Sequence, residues 1–275
     1  MFSPPALSII DPNTGEQEII KYYQNIYNNR ALYVDHHRGQ AHIIVTKPNI
    51  NNLYLWSISL KNGSVLLEFE FKYVWGSTAI GQYPGTNDLM IVISGSTADH
   101  QSGYSFYRFT PETQQKTLIS TFAFEDSWSS YVFGDGYFYF NNYQEYYGRH
   151  GIYAVDFQTG KMKLNITRPG KETSLFWRKS TNELLFLEGR QPDLYLCKFD
   201  PKTSQISDEL KMPDEYTWDT LFKSGYDSEN EIVYFILDVN AQTESNIITF
   251  DLKKNEIVHS IPFCSFMCPR MIGIN

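Results

Sequence analysis

The residues of this chain that could do chemistry fall into a few short runs. Val34-Asp-His-His-Arg-Gly-Gln-Ala-His42 brings His36, His37 and His42 close together, and imidazole nitrogens ligate metals. On an extended strand, however, His36 and His37 would point to opposite faces, and no carboxylate cluster completes a site. Asp99 with His100, then Glu145 with Arg149 and His150, then Glu188 with Arg190, recur in successive loops. A histidine beside a carboxylate suits general acid–base work or metal binding, while a solvated polar loop is the plainer account. Cys197, Cys264 and Cys268 are too few for a disulfide framework and lack a second pair or histidine for a zinc site, so they read as thiols. There is no Gly-x-Ser-x-Gly elbow and no His-Glu-x-x-His, and hence no recognisable catalytic motif.

The elements that must position these residues repeat. One pattern, an apolar strand ending in an acid or hydroxyl residue, a polar turn and a second strand, occurs six times: LSIIDPNTGEQEII, LWSISLKNGSVLLEF, FYRFTPETQQKTLI, YAVDFQTGKMKL, CKFDPKTSQISDEL and ITFDLKKNEIVHSI. The turn-opening residues Asp11, Ser59, Thr110, Asp156, Asp200 and Asp251 lie 44 to 51 residues apart, the size of a four-stranded propeller blade. Such side chains bond the backbone two residues on, and Pro12, Pro111 and Pro201 preset the next φ. The residue before the turn is apolar in every copy: Ile10, Ile58, Phe109, Val155, Phe199 and Phe250. Two more apolar strands fit between successive hairpins, such as ALYVD then AHIIV, and no sustained 3.6-residue period appears. The fold class is all-β, which excludes βαβ enzymes and their phosphate loops.

The whole chain, residues 1–275, resembles the β-propeller superfamily, and its Asp-x-x-Thr-Gly hairpins resemble the loosely repeating propellers of the YVTN and quinoprotein-like kind. The Gly-His and Trp-Asp signatures of WD40 blades are missing. The resemblance implies one domain, a six-bladed β-propeller of four-stranded antiparallel blades. Leu7 opens a third-and-fourth-strand hairpin and Met271-Ile-Gly-Ile-Asn275 matches a first strand, so the two termini are expected to share one blade, with one of its strands unaccounted for. It also implies that ligands bind on the face formed by the loops entering the first strands and joining second to third strands.

Aligning the segments that enter the first strands matches Tyr27-Asn-Asn-Arg30, Trp75-Gly-Ser-Thr78, Trp128-Ser-Ser-Tyr131, Thr173-Ser-Leu-Phe176, Trp218-Asp-Thr-Leu221 and Cys268-Pro-Arg-Met271. The expectation is a ring of Tyr27, Trp75, Trp128 and Trp218 with Arg30, Ser77, Ser130, Asp219, Thr220 and Arg270 behind it, joined by His100, Glu145 and His150 from the loops. Flat aromatics with nearby donors suit sugars, cations and peptide side chains; the other reading is that they wedge between blades.

Composition limits the partners. Aromatic residues are 16% of the chain and hydrophobic residues 42%, ample for a core of strands. The net charge of -8 and the lack of a basic cluster argue against nucleic acid and anionic membrane. No apolar run reaches a membrane span and the first residues lack a signal peptide's pattern, so the chain reads as soluble and cytoplasmic. Asn62-Gly-Ser and Asn165-Ile-Thr are glycosylation triplets that would matter only on secretion. The expected function is a binding or interaction module for a peptide, glycan or protein, with no cofactor. The alternative is a hydrolase, lyase or cyclase at the propeller channel, calcium-dependent if it is like the six-bladed lactonases, for which Asp219, Asn28 and Asn29 would be the inner ligands.

Overall fold

The structure is a computed structural model describing residues 6–24, 26, 28–47, 52–71, 77–96, 102–123, 128–144, 149–167, 171–190, 192–203, 205–212, 221–227, 229–240 and 244–263. Every regular element among them is a strand, and none contains a helix long and apolar enough to cross a membrane. β1 (Ala6–Ile10) and β2 (Gln17–Tyr22) form a two-stranded sheet. Five antiparallel four-stranded sheets follow in chain order. Blade 1 is β3 (Asn28–Asp35), β4 (Gln40–Thr46), β5 (Leu53–Ser59) and β6 (Val65–Phe71). Blade 2 is β7 (Thr78–Gln82), β8 (Leu89–Ser96), β9 (Ser102–Thr110) and β10 (Gln115–Ala123). Blade 3 is β11 (Trp128–Gly134), β12 (Tyr137–Gln144), β13 (Arg149–Asp156) and β14 (Met162–Thr167). Blade 4 is β15 (Lys171–Arg178), β16 (Glu183–Arg190), β17 (Asp193–Asp200) and β18 (Gln205–Lys211). Blade 5 is β19 (Leu221–Asp227), β20 (Ile232–Asn240), β21 (Glu244–Asp251) and β22 (Glu256–Phe263).

All six hairpins read from the repeat are present, and at Ser59, Asp200 and Asp251 the turn-opening side chain accepts from the backbone two residues on, as expected. Asp200 Oδ1 accepts from Lys202 N at 2.8 Å, and Asp251 Oδ1 from Lys253 N at 2.9 Å. Backbone N–H groups hold both carboxyls below the usual aspartate range, Lys202 N–H contributing most at Asp200 and Lys254 N–H at Asp251. In the five blades the residue before the turn is core: Ile58, Phe109, Val155, Phe199 and Phe250 are all buried. The middle strands read as continuous apolar runs because they are covered on both faces; β5 and β16 are buried along nearly their whole length.

A one-residue bulge recurs on the fourth strand of every blade, at Leu66, Ile119, Lys163, Ser207 and Val258, and on β2 at Ile20. Bulges bend and twist a strand, so the repetition is a regular device of this fold.

The chain divides into two compact units. The first is Met1–Asp11, Glu16–Glu125 and Phe157–Lys161, the second Pro12–Gly15, Asp126–Asp156 and Met162–Asn275. In the first, Tyr23, Ile26, Val45, Tyr54, Trp56 and Ile58 make a core joined by Leu7 of β1. In the second, the Tyr139 and Trp177 rings stack with centroids 5.3 Å apart. Gly134 lies under that indole, where a Cβ would collide with Trp177 Cδ2.

Two expectations change. The sixth four-stranded blade is not seen among the described residues: β1 and β2 pair with each other as a two-stranded sheet, and Met271–Asn275 lie outside the described residues. His36 and His37 are not on a strand but in the exposed turn closed by the Gly39 N–H bond to His36 O, because Gly39 adopts φ +60. His42, on β4, is fully buried with Nδ1 2.8 Å from Ser57 Oγ.

Candidate functional site

In each blade the first strand begins, the second ends, the third begins and the fourth ends at one edge, the leading end. The sequence assigns the expected site residues to this edge, and only some of them are described. Ser77 is half-buried just before β7, and its carbonyl accepts from Ser94 N at 3.3 Å. Trp128 is only 9% exposed, its ring 5.1 Å from Phe138 and 5.4 Å from Phe140. Ser130 N donates to Oδ1 of the buried Asn141 at 2.7 Å, and Ser130 Oγ accepts from Leu175 N at 2.9 Å, tying β11 to β15. Arg30 lies on β3 and His150 on β13, with their side chains not described. Tyr27, Trp75, His100, Glu145, Trp218, Asp219 and Arg270 lie outside the described residues, as do Cys264 and Cys268.

Strand register revises the aromatic alignment. Counting from the turn, Tyr54, Ser105, Gly151, Tyr195 and Asn246 are equivalent. Through their second-strand partners these align Asn29, Thr78, Trp128, Glu172 and Leu221. Trp75 and Trp218 each precede this position by three residues, whereas Trp128 occupies it. A further bulge, at Asn29–Ala31, Trp128–Tyr131, Glu172–Ser174 and Leu221–Lys223, separates strand register from sequence spacing.

Two buried hydroxyls at leading ends have no hydrogen-bond partner: Thr46 Oγ1, closing β4, and Thr78 Oγ1, opening β7. Thr78 is 3% exposed. A desolvated, unsatisfied hydroxyl is costly, about 1–3 kcal/mol.

Sequence reasoning missed a second feature, a cation laid on a third-strand tyrosine ring and paired with a fourth-strand glutamate, built at equivalent places in two blades. In blade 1, Lys47 Nζ lies 4.2 Å from the Tyr54 ring centroid and 2.7 Å from Glu68 Oε1. Trp56 Nε1 donates to Glu68 Oε2 at 2.7 Å and Asn52 Nδ2 to Glu70 Oε1 at 2.5 Å. In blade 4, Arg190 Cζ lies 4.5 Å from the Tyr195 centroid, and Arg190 Nη2 donates to Glu188 Oε2 and Glu209 Oε1, both at 2.5 Å. These bonds, Glu209 first, hold Arg190 more firmly protonated than a free guanidinium. The signal was available: Tyr54 and Tyr195 both stand five residues before the turn residue. Cys197 stands where blade 1 has Trp56, and its Sγ is 3.6 Å from Glu188 Oε2. Each cluster carries one carboxylate more than its cation.

No family model matches the chain, and no curated protein matches it in sequence. Solved structures do match. A protein named as TolB from Agrobacterium tumefaciens superposes with a TM-score of 0.59 at 11% identity, over 90% of this chain and 84% of that one. A luciferin-regenerating enzyme gives 0.56 at 10% identity, over 87% and 77%. The Dos1 propeller gives 0.52 at 12% identity, over 84% of this chain and 59% of that one. Likeness at this identity concerns the fold alone, and with the repeated antiparallel blades it identifies the chain as an all-β protein of the β-propeller fold.

Proposed function

We propose that this chain is a binding module that takes a peptide or glycan on the leading ends of its blades. The observation that carries the reading is Thr78 Oγ1, buried and unpartnered beside Ser77 and matched by Thr46 Oγ1 in the neighbouring blade. Neutral hydroxyls call for a ligand rich in hydroxyl or amide groups, and the expected aromatics Trp75 and Trp218 precede the same strand register. The fold supports the reading without selecting it, since one structural neighbour is an oligogalacturonate lyase in complex with manganese and another a luciferin-regenerating enzyme.

The same proposal takes β1 and β2 as the third and fourth strands of a sixth blade. In support, β2 carries the fourth-strand bulge, and Gly15 of their turn packs on β22, where a Cβ would lie 3.0 Å from Pro262 O.

The test is a glycan and peptide array followed by titration of the best hits against Thr78→Val, with Thr249→Val as control. Loss of one neutral hydrogen bond weakens binding about two- to tenfold in Thr78→Val alone. Equal affinity in wild type and Thr78→Val overturns the site. Hits consumed to products, read by mass spectrometry, would move the reading to catalysis.

A further inference from the structure

We propose that Glu188, Cys197 and Glu209 form a site for a thiophilic divalent cation such as zinc, exchanging with the Arg190 guanidinium that now bridges the two carboxylates. One ligand atom from each residue lies within 4.8 Å of the others. Zinc bonds of about 2.0–2.3 Å in tetrahedral array put ligand atoms roughly 3.3–3.8 Å apart, so each side chain need close by only about 1 Å. One sulfur and two oxygens are a donor set suited to a borderline-soft ion.

The cluster already accepts a cation, and its charge balance permits the exchange. With Arg190 in place and the Cys197 thiol protonated, two carboxylates and one guanidinium carry a charge of about −1. A divalent ion that expels the guanidinium and the thiol proton leaves two carboxylates, a thiolate and M²⁺, again about −1. Burial does not oppose an exchange that leaves the local charge unchanged. Glu188 and Cys197 are fully buried, whereas the Arg190 side chain is 28% exposed, so the arginine is the member that can leave for solvent. Blade 1 shows the contrast: there Trp56 stands in place of the cysteine and donates to Glu68, and Val45 stands in place of Glu188, so the ligand set is not repeated.

Cadmium titration of the full chain, followed by thiolate charge-transfer absorption and by proton release in weak buffer, tests this. The expected result is one equivalent bound with about one proton released, a band lost in Cys197→Ser, and affinity at least tenfold higher in Arg190→Gln. Zinc should also raise the melting temperature of Arg190→Gln, or of Arg190→Lys if the first variant folds poorly. A band that survives Cys197→Ser, the absence of any band, or arginine variants whose stability ignores zinc would overturn the site.

Discussion

Acid should weaken this protein through one histidine. His42 is 0% exposed, with Nδ1 against Ser57 Oγ and Nε2 without a partner, and the Tyr33 ring stacked on it at a centroid distance of 6.0 Å. Burial pushes its pKa down from 6.5 to about 4; Arg38 lowers it further, while Asp35 and Glu112 act the other way. Between those values the unfolded chain binds a proton that the folded chain refuses. Stability from this group is therefore complete above pH 6.5 and is lost as pH falls toward 4. The displacement corresponds to about 3 kcal/mol by pH 4. Urea denaturation at pH 7 and pH 4 of wild type and His42→Gln, which keeps a bonding group for Ser57 but does not titrate, isolates the effect. With a denaturant slope of about 3 kcal/mol/M, the wild-type midpoint should fall by about 1 M more than that of the variant. Parallel losses in the two proteins would refute the argument.

Three further outcomes are expected. Arg178 Nη2 donates to Glu231 Oε2 at 2.5 Å, and Glu231 is buried at φ +60, so Arg178→Met should leave a buried carboxylate with the Ser180 hydroxyl but without its cation and cost about 3 kcal/mol, read by thermal melting. Gly134→Ala drives a methyl into the Trp177 indole and should cost about 1–3 kcal/mol or more; a double-mutant cycle with Trp177→Leu should show strong coupling. Thr78→Val removes an unsatisfied buried hydroxyl and should raise stability without ligand by about 1 kcal/mol, seen as a higher urea midpoint.

The hairpins were legible because their turns are local: a side chain that bonds the backbone two residues on and an apolar residue just before it need no distant partner. The same locality explains what was misplaced. His36 and His37 sit in a run that looks extended, but Gly39 at positive φ turns the chain there. Residue type aligns Trp128 with Trp75 and Trp218, whereas its counterparts in register, such as Thr78 and Leu221, are set by pairing across the sheet. The Arg190 cluster draws residues from three strands and the Lys47 cluster from two strands and the segment before them, so no short window contains them.

The most direct measurement is a crystal structure of the protein soaked with mono- and disaccharides and capped dipeptides. The account predicts ligands ordered at the leading ends, with one bonded to Thr78 Oγ1. Ligands gathered at the opposite edge of the blades, with Thr78 Oγ1 still unbonded, would contradict it.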